Sequence, residues 1–269
     1  MNAKYIVATG WWCDDNSSDD RNTKFGSQNI RKVDFFDKWY SAIKENTSAE
    51  KIIVIDSCSP VKPRVNKYPD IEWIELDKNY GHSTKHDGKY CGVSRSFLLS
   101  LMRTYVSDVD YWVYIEQDAL IKGVGIIDFA ISKMNKNMMF GSGLMTPQPI
   151  QQSMMIIKRE YIPTFIKNYT KILSSDNKIS PELKFAVAAT PILRLVPEFV
   201  FKGLDNPTFS SRVINKLVFT IVNSKLSNYQ PLPFGFGRVR PINFDDQFFY
   251  FQHGDDIELS AYDEMVRNS

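Results

Sequence analysis

Glu116 and Asp118 stand two positions apart where the apolar run Tyr111 to Ile115 ends. Carboxylates at that spacing on a strand point to one side, and hard divalent cations bind through such oxygens together with substrate phosphates. The plain alternative is a strand end whose acids face water. Asp56 ends a second apolar run, Lys51 to Ile55, where a carboxylate can accept from a base N–H or a ribose hydroxyl, and Ser57 follows it. Thr9 and Gly10 stop a third run, Tyr5 to Ala8, with a small turn that lets a base or ribose approach the backbone.

Other groups could complete such a site. His253, after the strand expected at Gln247 to Gln252, is either a ligand for an Mn²⁺-type ion or a satisfied surface histidine. Glu182 and Asp246 are further carboxylates that could act as a base. Ser180-Pro181-Glu182 reads as a helix start, whose dipole stabilises a first-turn carboxylate, whereas Asp245-Asp246 is equally a turn of solvated acids. Phe234 to Arg240 combines two glycines with Arg238 and Arg240, either a lid over a leaving diphosphate, which guanidinium binds bidentately, or a simple loop. Arg95 at a helix start faces phosphate or solvent. His82, Lys85 and His86 form a basic loop.

These groups need elements to hold them. Tyr5 to Ala8 and Lys51 to Ile55 read as buried strands, with helical spacing between them over Val33 to Ile43. Ile71 to Leu76 and Tyr111 to Ile115 are further strands flanking a helix at Val93 to Tyr105. Ile126 to Ser132 is a helix, Met138 to Phe140 runs into a Gly-Ser-Gly break, and Ser153 to Ile157 feeds a helix at Tyr161 to Tyr169. This alternation predicts an α/β layered fold, a mostly parallel sheet flanked by helices. Beyond Ser174 prolines including Pro181, Pro191, Pro207 and Pro241 cut the chain into short pieces, with one amphipathic helix at Arg212 to Leu226. Residues 1–175 are therefore expected to bind the ligand and 176–269 to form the other side of the same unit.

With 33 basic and 31 acidic residues the net charge is +2, so the charge excess of a nucleic-acid-binding protein is missing. Cys13, Cys58 and Cys91 are far apart and make no Cys-x-x-Cys, which argues against a disulfide framework or cysteine zinc site and for a cytoplasmic protein. No apolar run approaches the ~18 residues of a membrane span, and the start lacks signal-peptide features. Residues 191–240 hold seven basic and two acidic residues around apolar pieces such as PILRLVPEFVF. That stripe either packs on the core, the preferred reading, or makes peripheral contact with a membrane.

Together these segments resemble the GT-A class of nucleotide-sugar glycosyltransferases. VIDSCS at 54–59 is similar to that class's strand-terminal Asp followed by small polar residues. NYGHSTKHDGKYCGVSRSF at 79–97 looks like the segment leading to the helix before the metal strand, and YWVYIEQDALI at 111–121 resembles the DxD segment with Glu116 in place of the first Asp. The resemblance covers roughly residues 1–125. It implies a GT-A fold and a cation, Mn²⁺ or Mg²⁺, holding the diphosphate of a UDP- or GDP-sugar through Asp118 with help from a late histidine, His253. It also implies Asp56 on the nucleoside, and the longer Glu116, with Gln117 beside it, on the sugar or ribose. Thr9, Gly10, Ser57, Arg95, Arg238 and Arg240 would complete the donor site. Glu182, favoured over Asp246, resembles the base of inverting members, acting on a glycan or lipid-linked hydroxyl. Two rivals remain. A sugar-phosphate nucleotidyltransferase would carry a glycine-rich basic loop after its first strand, where TGWWCDDN stands; a non-catalytic carbohydrate- or partner-binding relative would need none of the acids. A Rossmann dehydrogenase lacks its Gly-x-Gly-x-x-Gly here.

Overall fold

The computed structural model describes residues 3–14, 25–144, 146, 148–204 and 208–267; Asp15, Asn16 and Pro207 lie outside them. In chain order the elements are β1 (Tyr5–Trp11), α1 (Phe35–Asn46), β2 (Lys51–Asp56), β3 (Ile71–Glu75), α2 (Gly92–Tyr105), β4 (Tyr111–Ile115) and β5 (Ala119–Lys122). Then come α3 (Ile126–Ser132), β6 (Met138–Ser142), β7 (Ile150–Lys158), α4 (Ile162–Thr170), α5 (Pro181–Ala189) and α6 (Phe209–Val222). The last elements are β8 (Tyr229–Pro231), β9 (Phe236–Gly237), β10 (Phe249–Gln252) and α7 (Asp256–Arg267).

A seven-stranded sheet runs β3-β2-β1-β4-β7-β6-β8. Its β3-β2-β1-β4 half is parallel throughout, and β7 lies antiparallel between β4 and β6. The mostly parallel layered sheet expected from the alternating pattern is thus present. Successive side chains of a strand point to opposite faces, and the core divides accordingly. Ile6, Ala8, Trp112 and Tyr114 pack with α2, α4, α5 and α6, while Tyr5, Val7, Val113 and Ile115 pack with α1, α3 and α7. Residues beyond 175 supply α5, α6 and the edge strand β8, so they share the core of the first half.

A second sheet, β5-β10-β9, lies outside that pattern. Neither β5 nor α7 is expected from the sequence. The four residues of β5 follow a turn directly and read as a continuation of β4. The apolar stripe of α7 is thin, because only Leu259 and Tyr262 are buried. The strand expected from Gln247 begins at Phe249, and β6 runs on through Gly141 with a bulge after Phe140.

One buried ion pair ties three segments together. Lys184 Nζ on α5 lies 2.6 Å from Asp176 Oδ1 and also donates to the Ser174 carbonyl at 2.6 Å, with both charged side chains wholly inaccessible. Asp176 Oδ2 in turn accepts the Cys91 N–H at 2.7 Å, at the start of α2. A carboxylate there also meets the positive end of the helix dipole. Removing one partner of such a pair leaves an uncompensated buried charge. Lys184→Met should therefore lose about 3 kcal/mol of stability, a fall of about 6–12 °C in the melting midpoint. Calorimetry checks this, and a midpoint within 2 °C of the parent would contradict it.

Candidate functional site

Because β1, β2 and β4 are parallel and in register, their carboxyl ends align at one edge, where ligands bind in open α/β sheets. The Ala119 N–H donates to the Glu116 carbonyl at 3.0 Å, so the chain turns sharply over 116–119 and returns as β5. Glu116 and Asp118 therefore flank a tight turn and do not ride one strand face as the spacing suggests. Antiparallel pairing sets Gln252 opposite Ala119, and β9 sets Gly237 beside Phe251. The small second sheet thereby delivers Gln252, His253 and Arg238 to the two acids.

Gln252, almost fully buried, is the hub of this cluster. Its Nε2 donates to Glu116 Oε2 and, at 3.0 Å, to Asp118 Oδ1. Its Oε1 accepts from Arg238 Nε at 3.0 Å, and the Arg238 backbone N–H is held by Gln151 Oε1 at 2.8 Å. His253 Nε2 lies 3.3 Å from Asp118 Oδ2. This histidine has φ 58°, a left-handed conformation uncommon without glycine, and its ring stacks on Phe25 with centroids 5.7 Å apart. Gly26 backs it so closely that a Cβ there would sit 2.5 Å from the His253 carbonyl.

Burial and the two acids together split their proton affinities. Burial, then the Asp118 charge, raises Glu116, with Glu182 adding to the rise against Arg238 and a hydrogen bond from Gln152. Burial also works to raise Asp118, but His253 and the Gln252 donor outweigh it and hold that carboxylate below its usual range. Environments that push paired carboxyls apart in this way occur at catalytic sites and in structural ion-pair networks alike.

The donor set suits a hard cation. Ligand atoms adjacent on an octahedral ion with bonds of about 2.1 Å lie about 3 Å apart, close to the Asp118 Oδ2 to His253 Nε2 separation of 3.3 Å. Among the described residues no group of three His, Cys, Asp or Glu side chains gathers around one point. A cation held there would take Asp118 and His253 from the protein and its other ligands from water or phosphate oxygens.

The remaining expected residues divide into those near this cluster and those used elsewhere. Asp56 is fully buried at the neighbouring strand end. Its Oδ1 accepts from the Ser59 N–H and hydroxyl at 3.0 and 2.5 Å, while Oδ2 has no hydrogen bond and faces Lys62 Nζ at 3.7 Å. Ser57 Oγ accepts the Tyr80 N–H at 3.1 Å, tying the end of β2 to the 79–92 segment. Arg95 lays its guanidinium 3.5 Å over the Tyr80 ring and donates to the Tyr90 carbonyl at 3.2 Å. Glu182, in the first turn of α5, is near enough for its charge to act on Glu116.

Five expectations differ from the structure. The Thr9 side chain is sealed inside the sheet. Gly10 is needed for packing: its N–H donates to Tyr114 Oη at 3.0 Å, and a Cβ would lie 2.7 Å from Ser96 Oγ. Gln117 spends its amide on the Trp12 backbone, accepting N–H at 2.7 Å and donating to C=O at 3.0 Å. Arg240 is bound by Glu258 and by the Gln252 carbonyl at 2.9 Å, so it braces α7 against β10. Asp246 accepts from Asn243 at 2.7 Å beyond the Phe249 end of β10, about 10 Å of strand away from Gln252 at the other end. Gln252 itself has no signal in the sequence beyond its place before His253.

No family model and no curated protein matches the chain. Among solved structures, a mannosyltransferase from Pyrobaculum calidifontis in complex with GDP-Man and Mn²⁺ aligns over 71% of this chain and 53% of its own, at 12% identity and TM-score 0.45. The TarS fragment from S. aureus with UDP-GlcNAc aligns over 69% and 53%, at 14% identity and TM-score 0.41. A Bacillus anthracis protein solved with sucrose and assigned as a glucose-1-phosphate thymidylyltransferase aligns over 99% and 96%, at 9% identity and TM-score 0.44. The chain spans about half the length of the first two.

Gln252→Leu keeps the side chain's bulk but leaves two acids and a guanidinium without their shared partner. It should cost about 2–3 kcal/mol, since two of the three hydrogen bonds lost are to the charged Asp118 and Arg238. Urea unfolding checks this: a midpoint equal to that of the parent would show that Gln252 is not the hub.

Proposed function

We propose that the chain is a metal-dependent glycosyltransferase of the GT-A type, moving a sugar from a UDP- or GDP-linked donor to a hydroxyl of a glycan or lipid-linked acceptor. The observation that carries this reading is the convergence of Glu116, Asp118, Gln252, His253 and Arg238 at the carboxyl ends of parallel strands. The motif resemblance of residues 54–59, 79–97 and 111–121 supports it independently.

Asp118 and His253 would hold the cation, Mn²⁺ or Mg²⁺, which when bound offsets charge on a leaving diphosphate. Asp56 lies two strand spacings from the β4 end, about 10 Å, and would orient the nucleoside, with Ser57 and Arg95 alongside. Arg238, tethered at Nε by Gln252, turns its remaining donors to phosphate oxygens. Glu116 faces the sugar or ribose. Glu182, at the positive end of α5 and close to Glu116, takes the acceptor proton, and residues 176–269 form the acceptor side. Direct displacement with that base gives inversion at the sugar carbon. Asp246, at the far end of β10, has no part in it. The protein would work in the cytoplasm, where widely spaced cysteines stay reduced.

Thermal shift with UDP, GDP, CMP and their sugars, each with and without Mn²⁺, tests the donor half. One nucleotide should raise the midpoint only with Mn²⁺, by the equivalent of about 2.7 kcal/mol at a hundred times Kd, and Asp118→Asn should abolish the rise. Carbohydrate binding with no nucleotide or metal response would instead favour the non-catalytic relative, and pyrophosphate release from a nucleoside triphosphate and a sugar phosphate the nucleotidyltransferase. Glu182→Gln should cut kcat about 10²- to 10⁴-fold while leaving donor affinity intact; unchanged turnover would remove Glu182 as base.

A further inference from the structure

After α5 the chain forms two short 3-10 helices, Pro191–Leu195 and Glu198–Val200, which lie alongside α6. Thr190 Oγ1 meets Ser227 Oγ at 3.1 Å beyond the C-terminal end of α6, and Asn215 Nδ2 donates to the Leu204 carbonyl at 3.0 Å further back. The two segments are therefore antiparallel neighbours. Leu193, Phe201, Leu204, Val218 and Val222 are buried between them and the sheet, so the stripe does pack on the core. Yet its outer side is also apolar. Leu195 is 83% exposed, Phe199 72%, Leu173 78% and Leu217 58%.

Cations surround those apolar groups. On α6 the outer face carries Arg212 and Lys216 one turn apart, beside Val213 and Leu217 one turn apart. Arg194, Lys202, Lys225 and Lys171 are likewise exposed. Three described acids lie between 161 and 235, and one of them, Glu198, belongs to this face. Asp176 is paired inside with Lys184, Glu182 sits at the candidate site, and Glu198 turns in to accept the N–H groups of Leu173 and Ser174 at 2.7 and 2.9 Å. Asp205 lies outside the described residues. Water leaves such apolar groups uncovered, and an acidic partner alone would cover only the cations. An anionic bilayer offers negative headgroups directly above an apolar layer, which matches both.

We infer that this face docks the protein on anionic lipid bilayers. Among the described residues no helix is long and apolar enough to cross a membrane, so the contact is peripheral. The nine residues of α5 span about 13 Å and join Glu182 to Pro191, which sets the docking face one short helix from the candidate site. The inference rests on the surface alone and holds whichever donor is bound.

Flotation of the full chain with vesicles of phosphatidylcholine, alone or mixed with phosphatidylglycerol, tests it without any donor. Binding should be more than about tenfold stronger to the mixed vesicles and should weaken with added salt. Arg212→Glu with Lys216→Glu should reduce it about tenfold, and Leu195→Asp with Phe199→Asp should abolish it, both with unchanged melting midpoints, since these side chains are exposed. Equal binding to the two vesicle types, no binding to either, or binding undiminished in both double variants would overturn the inference. A concentration-dependent dimer in sedimentation that the same substitutions abolish would overturn it in favour of self-association.

Discussion

Two carboxylates brought close together and partly shielded from water repel, and neither can ionise cheaply unless donors or cations surround it. Glu116 and Asp118 are in that position. The surrounding structure can be understood as the answer. Gln252 gives its two amide protons to the pair, its oxygen fixes Arg238, and His253 stands against Asp118. All three arrive at the ends of β9 and β10, strands of the small β5-β10-β9 sheet and not of the main sheet. The four residues of β5 matter more than their length suggests, because their register decides which side chain of β10 faces the turn.

The rest of the fold holds that edge still. The two apolar faces of the parallel sheet each bury their own set of helices, and the Lys184–Asp176 pair fastens α5 to the start of α2. That pair matters for the site because α5 carries Glu182 in its first turn. A shift of α5 along its axis would change the distance from Glu182 to Glu116. Buried ionic contacts contribute little net stability compared with apolar residues of equal volume, but they punish displacement strongly. Here the position of one carboxylate appears in the same helix as the lysine that is anchored.

Much of the architecture is legible from the chain. Tyr111 to Ile115 and Ile126 to Ser132 match their elements residue for residue, because apolar runs with clear stops leave few alternatives. The acids at the end of β4 are visible for the same reason. What is not legible depends on pairing across long stretches of chain. Gln252 looks like any strand-end glutamine until β5 is set beside it. Asp246 looks close to His253 by number, yet an extended strand carries the two to opposite ends. Arg240 looks like a phosphate ligand until Glu258, on a helix too thinly apolar to be expected, takes its guanidinium. Gly10 looks like a ligand-side turn, and its missing Cβ is instead filled by Ser96 and Tyr114.

The bond from Gln252 to Glu116 closes across 136 residues. Closing so long a loop costs entropy before the contact rewards it, so pairing of such separation is slow to form. During synthesis the carboxylates leave the ribosome well before β10. In that interval neither the Gln252 amide nor the His253 imidazole is there to meet them. The arrangement of the two acids is thus completed only when β10 docks on β5, so that it reports a chain folded from β4 to β10.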